Sequence, residues 1–166
     1  MIEAQFRKHL LEDDPLVQAV LRGHLLVEQA VDEYLEGLCL HPEYLRAARL
    51  SFAEKVLIVR SLSTQSEFFL WDFVNGLNGL RNEMAHSLEG VKLHSKLGLV
   101  RSLVWDALKR LGDKKAIDWI KAENSADELL VAVGAMMCAS IFGGWTDGEI
   151  KKLPRRRRTT VKREGK

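Results

Sequence analysis

The chain has 166 residues, 46% of them hydrophobic and 29% charged, which is ordinary for one globular domain able to bury a core without staples. Cys39 and Cys138 stand far apart with no C-x-x-C, which argues against a zinc knuckle and for a reducing compartment, the cytoplasm. The net charge of +2 conceals a split: residues 151–166 hold nine Lys/Arg and one Glu, a net of +8, leaving 16 basic and 22 acidic residues before them, a net of −6.

The opening "MIEAQFRKHLLEDD" is mixed and charged, unlike a signal peptide. Asp14 followed by Pro15 supplies an N-cap and a first-turn proline, which predicts a helix to about Leu38. "SFAE", Ser51 to Glu54, is a capping box that starts a second helix reaching about Leu62. Ser66 can cap a third helix to about His86, and a fourth spans about Lys92 to Leu111, closed by Gly112. "SADE", Ser125 to Glu128, reads as another capping box before "LLVAVGAMMCASIF". No run alternates apolar with polar residues, so the fold class is all-α. Residues 1–145 read as one helical domain and 146–166 as a basic, disordered tail.

Residues 129–145 carry no charge. Gly143 and Gly144 cut their helical part to about 14 residues, which suits a core or dimer helix better than a membrane anchor. Small residues at Ala132, Gly134, Ala135, Cys138 and Ala139 fit close helix packing.

The stretch "LNGLRNEMAHSLEG" carries the chemistry. At about 100° per residue, Leu70, Phe73, Leu77, Leu80, Met84 and Leu88 share one side, which is core. Asn75, Asn78, Gly79, Asn82 and His86 share the other, rich in amides where a solvated face carries Lys and Glu. Gly76 and Gly79 each cost roughly 1 kcal/mol in a helix. Close approach of another helix is the usual reason, here most simply the same helix of a second subunit across a two-fold axis; a lax solvent face is the alternative. Arg81 lies between the two sides and can reach toward His86, and Asn82 neighbours His86 one turn on. An imidazole can exchange the proton of a ribose hydroxyl near neutral pH, and a guanidinium can hold a phosphate bidentately. Arg-x4-His spacing carries no weight alone: 13 arginines and five histidines give roughly one match by chance over gaps of four to six.

"LNGLRNEMAH" resembles the signature of the HEPN superfamily of helical domains: Arg, a polar residue, then His after four to six positions. Arg81, Asn82 and His86 match it. The layout from "RGHLLVEQAVDEYL" through "RLSFAEKVLIVRSLS" is similar to the mannitol operon repressor branch, and the likeness covers about residues 15–90. It implies an up-and-down helical bundle with additional C-terminal helices, and a homodimer that gathers two Arg/His pairs in one cleft. It further implies cleavage of RNA without metal or cofactor, with His86 in acid/base work, Arg81 on the scissile phosphate and Asn82 in support. Several members are toxins or phage-defence effectors with a protein partner such as an antitoxin; the mannitol repressor branch instead implies a non-catalytic regulator. A toxin branch carries a modifiable Tyr two positions after the His, where this chain has Leu88.

Other residues are read beside that site. Asn78 and Glu28 are supporting candidates, Glu28 meeting Arg81 or His86, or serving only in a helix-surface pair. His24 and Glu28 have metal-ligand spacing but lack a third ligand, so no metal is expected. His9, His41 and His94 read as surface residues, and Trp71, Trp105, Trp119 and Trp145 as packing anchors. Arg155, Arg156, Arg157 and Arg158 would hold nucleic acid through phosphates.

Overall fold

The computed structural model describes residues 14–63, 70–86, 91–124 and 126–146. They form an all-α bundle of seven described helices: α1 (Pro15–Leu38), α2 (Pro42–Ala47), α3 (Phe52–Leu62), α4 (Leu70–His86), α5 (Val91–Leu111), α6 (Lys114–Ala122) and α7 (Asp127–Trp145). Among the described residues there is no strand.

Local chemistry accounts for most helix ends. Asp14 Oδ1 accepts from the amides of Leu16 at 2.8 Å and Val17 at 3.3 Å, satisfying donors that open every helix, while Pro15 needs none. The Ser51 capping box closes in both directions: Glu54 N donates to Ser51 Oγ at 3.4 Å, and Ser51 N to Glu54 Oε2 at 2.7 Å. Gly112, at φ +68°, ends α5 in the left-handed region, where a side chain is strained.

Two short helices escape the sequence pattern. α2 has six residues and no buried face, so it lacks a periodic stripe; Arg46 ties it to α1 through Nε at 2.6 Å and Nη2 at 2.7 Å on the Glu36 carboxylate. α6 starts at Asp113, whose Oδ1 accepts from Ala116 N at 3.0 Å.

At α7 two expectations are corrected. The N-cap is Ala126, without a side-chain hydrogen bond, one residue beyond the Ser125 of the supposed capping box; Ser125 lies outside the described residues, as does Ser66 before α4. Nor do Gly143 and Gly144 stop the helix, which runs through Trp145. Two glycines there cost about 1 kcal/mol each. Trp145 offsets that cost by packing its ring 5.2 Å from Phe142, 5.8 Å from Tyr34 and 6.0 Å from Trp71. α7 is the one described helix long and apolar enough to cross a membrane, and here Leu130, Val131, Ala135, Cys138 and Phe142 are buried within the bundle.

The core sits where α1, α4, α5 and α7 meet. A Cβ on Gly23 would lie 3.1 Å from Ala135 Cβ, so α1 and α7 approach almost backbone to backbone. A Cβ on Gly134 would press into the Phe73 ring of α4 and lie 2.8 Å from Val104 Cγ2 of α5. The small residues read from the sequence are therefore what lets α7 insert between three helices. α4 runs against both neighbours: Asn78 meets His24 of α1, and Glu83 meets Lys96 of α5. Of the tryptophans, Trp71 is buried and Trp105 and Trp145 half-buried. Trp119 is 49% exposed and does not anchor as expected, because α6 buries only Ile120.

Two glycine substitutions should move stability in opposite directions. Gly134→Ala overpacks the α4–α5–α7 junction and should lower unfolding free energy by about 1–3 kcal/mol. Gly98→Ala on α5, where a Cβ meets nothing within 4 Å, should raise it by up to about 1 kcal/mol. Urea denaturation with a common m-value checks both; equal effects of the same sign would contradict the packing described.

Candidate functional site

α4 has two faces with different partners. Leu70, Phe73, Leu77, Leu80 and Met84 are buried as the periodicity predicts; Leu88 falls outside the described residues. On the other side Asn75, Asn82 and His86 are exposed, while Asn78 and Gly79 are half-buried.

The two helix glycines differ. A Cβ on Gly76 would meet Val100 Cγ2 at 3.3 Å and Leu103 Cδ1 at 3.5 Å, so its close neighbour is α5 of the same chain and no second subunit is needed to explain it. A wheel drawn in two halves misses this, because Gly76 lies at their boundary. A Cβ on Gly79 would meet nothing within 4 Å, and the Gly79 carbonyl accepts from Lys96 Nζ at 3.2 Å.

Arg81, Asn82 and His86 are all exposed. Arg81 Nη1 donates to Asn82 Oδ1 at 3.0 Å, so the guanidinium turns along its own helix to the neighbouring amide. His86 is the last residue of α4. Beside them Lys96 of α5, which sequence reasoning misses, donates at 2.7 Å to Glu83 Oε2. That hydrogen bond, against a small opposing effect of burial and with help from the charges of Lys96, Lys92 and His86, holds the Glu83 carboxyl below its ordinary range. Glu83 falls between Asn82 and Met84, so the pair clamps α4 to α5 at the level of the motif.

A buried polar cluster supports the other flank. His24 of α1 is only 6% exposed, with its ring centroid 4.5 Å from that of Phe52. Its Nε2 lies 3.2 Å from Asn78 Oδ1. Since that oxygen accepts, Nε2 carries the proton, and Nδ1 faces Glu28 Oε2 at 3.8 Å. Burial pushes the His24 pKa below the ordinary histidine value; the Asn78 hydrogen bond and the Glu28 charge pull it up, and the Arg81 charge pushes it further down.

Glu28 is a correction. Instead of meeting Arg81 or His86 it faces α3, where Lys55 Nζ donates to its Oε1 at 3.0 Å and to Asp32 Oδ2 at 2.9 Å. Burial disfavours the Lys55 ammonium, yet its hydrogen bonds to Asp32 and Glu28 raise its pKa on balance. The reason is helical position: Glu28 stands one turn beyond His24, on the side of α1 that α3 covers. Asn78 reaches His24 of α1. Sequence spacing brings out His24 and Glu28 as a pair, but offers no hint that Asn78, 54 residues away, completes it.

Among the described residues no group of three His, Cys, Asp or Glu gathers as a metal would need. Cys138 is buried, which pushes its thiol pKa far up, and it is no nucleophile. His41 is exposed and pairs with Glu43 at 3.2 Å; His94 is exposed; His9 and Arg155 to Arg158 lie outside the described residues. An open groove of about 540 Å³ between α1 and α7, lined by Ala19, Leu26, Leu129, Ala132 and Met136 among others, shares no residue with the Arg81–His86 stretch.

No family model, curated protein or solved structure matches this chain.

The His24 cluster sets a sign for acid stability. The folded-state pKa lies below the unfolded one, so the neutral ring's contribution is complete above about pH 6.5 and is lost as pH falls from there through the folded value. Urea midpoints should fall between pH 7 and pH 5.5, above the range where depressed carboxyls such as Glu83 begin to protonate. His24→Gln should flatten that slope; an unchanged slope in the variant would assign it elsewhere.

Proposed function

We propose that this protein is a homodimeric, HEPN-like endoribonuclease that needs no metal, with Arg81 and His86 of two chains forming a composite site. The observation that carries the reading is the placement of Arg81, Asn82 and His86 on the exposed, amide-rich side of α4, outside the core that the rest of that helix builds. Three such groups standing on a helix surface form no cleft alone, and a second α4 across a two-fold axis makes one. Gly79 supports it further: a Cβ added there would meet nothing within 4 Å, so the side of the helix it leaves open can receive a second chain.

The chemistry balances within the protein's own side chains. One His86 imidazole takes the proton from a ribose 2′-hydroxyl as that oxygen attacks the adjacent phosphorus. The P–O5′ bond breaks, and the 5′-oxygen leaves with a proton from the second, protonated His86. The products are a 2′,3′-cyclic phosphate and a 5′-hydroxyl end. Arg81 offsets the charge gathering on the phosphoryl oxygens, and Asn82, already bonded to Arg81, holds that guanidinium in place. RNA is the substrate because the attacking group is its 2′-hydroxyl.

The excess of +8 in residues 151–166 favours a second reading, a non-catalytic regulator that uses the same dimer and tethers nucleic acid or a protein partner through Arg155 to Arg158. The two readings diverge in the laboratory. The ribonuclease should cut structured RNA in the presence of chelator, and His86→Ala or Arg81→Ala should lower the rate about 10²–10⁴-fold. Gly79→Gln, whose Cβ would meet nothing within 4 Å in its own chain, should convert dimer to monomer by light scattering and reduce cleavage with it. Cleavage untouched by His86→Ala sinks the nuclease. Salt-sensitive binding that is lost with residues 151–166 and indifferent to Arg81→Ala supports the regulator.

A further inference from the structure

His24 stands outside the motif, yet it is a buried titratable ring that touches the motif's helix. Its Nε2–H reaches Asn78 Oδ1 at 3.2 Å, one turn before Arg81 and Asn82 on α4. From behind, the ring rests on Phe52 of α3. The groups that face it are Glu28 from α1 at 3.8 Å, Arg81 from α4, and, through Glu28, Lys55 of α3 with its second partner Asp32. The imidazole thus links a tied-down charge network on α1 and α3 to the helix that presents Arg81.

We propose that His24 is a positioning residue for the Arg81–His86 site: by holding Asn78 it sets the rotation of α4 against α1, and so the direction in which Arg81 and Asn82 project. The catalytic consequence rests on the ribonuclease reading; the mechanical one does not. A helix can roll about its axis over an apolar stripe at little cost, since one aliphatic contact replaces another. A hydrogen bond between two half-buried or buried polar groups cannot slide, because a group left unpaired away from water bears its desolvation cost with nothing to offset it. His24–Asn78 is therefore a pin on one flank of α4, and Lys96–Glu83 is its counterpart on the other.

The pin depends on proton occupancy. Neutral, with its proton on Nε2, His24 holds Asn78 and turns a bare Nδ1 toward the Glu28 carboxylate. Protonated, it gains an N–H on Nδ1 that draws the ring to Glu28, and it sets a second positive charge beside Arg81. The Nε2–H bond to Asn78 is kept and tightened by the charge, which is why that bond raises the His24 pKa, while the added positive charge drives the Arg81 guanidinium outward.

The test uses the full chain carrying His86→Gln, so that the motif's own imidazole is removed. Nuclear magnetic resonance follows the His24 ring, the Asn78 side-chain amide and the Arg81 Nε–H through a pH titration. The Asn78 and Arg81 signals should shift with the same midpoint as the His24 ring, below about 6.5. A His24 ring that titrates while Asn78 and Arg81 stay still overturns the proposal, whether or not RNA is cut. The catalytic arm compares two variants with His86 intact. His24→Leu, which cannot donate, should lower kcat about 100-fold with KM unchanged. His24→Gln, whose amide can still reach Asn78, should recover most of that rate and lose the part of the acid limb that follows the His24 midpoint. Equal rates for Leu and Gln overturn the positioning role. Failure of the wild type to cut any RNA overturns the ribonuclease reading alone, and the titration still decides the pin.

Discussion

The fold depends on how closely α7 can approach its neighbours. Gly23 and Ala135 bring α1 and α7 nearly into backbone contact, and Gly134 leaves room for the Phe73 ring and Val104. Interiors pack at crystal density, so a single methyl at such a point has no space to occupy without moving three helices. α4 packs its side from Leu70 to Met84, with Trp71 and Val74, into this core. The surface that remains is the one bearing Arg81, Asn82 and His86.

That surface is held by polar pins on both flanks. Lys96 reaches Glu83 and the Gly79 carbonyl from α5, and His24 reaches Asn78 from α1. An apolar stripe specifies which side of a helix faces inward but tolerates rotation; directional hydrogen bonds remove that tolerance. Groups that must address one phosphate together need the second kind of constraint, because small misplacements at a reacting centre are costly. Glu28 takes part at one remove: it orders Lys55 and faces His24, and does not reach the motif itself.

Much of the fold is legible from residues alone, for reasons that can be named. The start of α1 at Asp14–Pro15, the capping box at Ser51 and Glu54, and the αL glycine at 112 are short-range devices whose partners lie within four residues. The stripe from Leu70 to Met84 follows from 3.6-residue periodicity. α2 and α6 are not legible, since helices of six and nine residues show too little period. At α7 a sound local rule fails: two glycines ought to end a helix, and the ring cluster of Tyr34, Trp71, Phe142 and Trp145 overrides them.

For the candidate site, the sequence by itself determined that Arg81, Asn82 and His86 share one helix, and that the side opposite its core stripe is polar and uncharged beyond the histidine. Helical periodicity is enough for that, because spacing along one helix dictates position around it. Only the tertiary structure decided what flanks them. His24 and Asn78 lie 54 residues apart, Lys96 and Glu83 lie on separate helices, and Gly76 proved to accommodate α5 while Gly79 stands open. Contacts between helices depend on which faces are brought together by the whole core, and no local pattern carries that information.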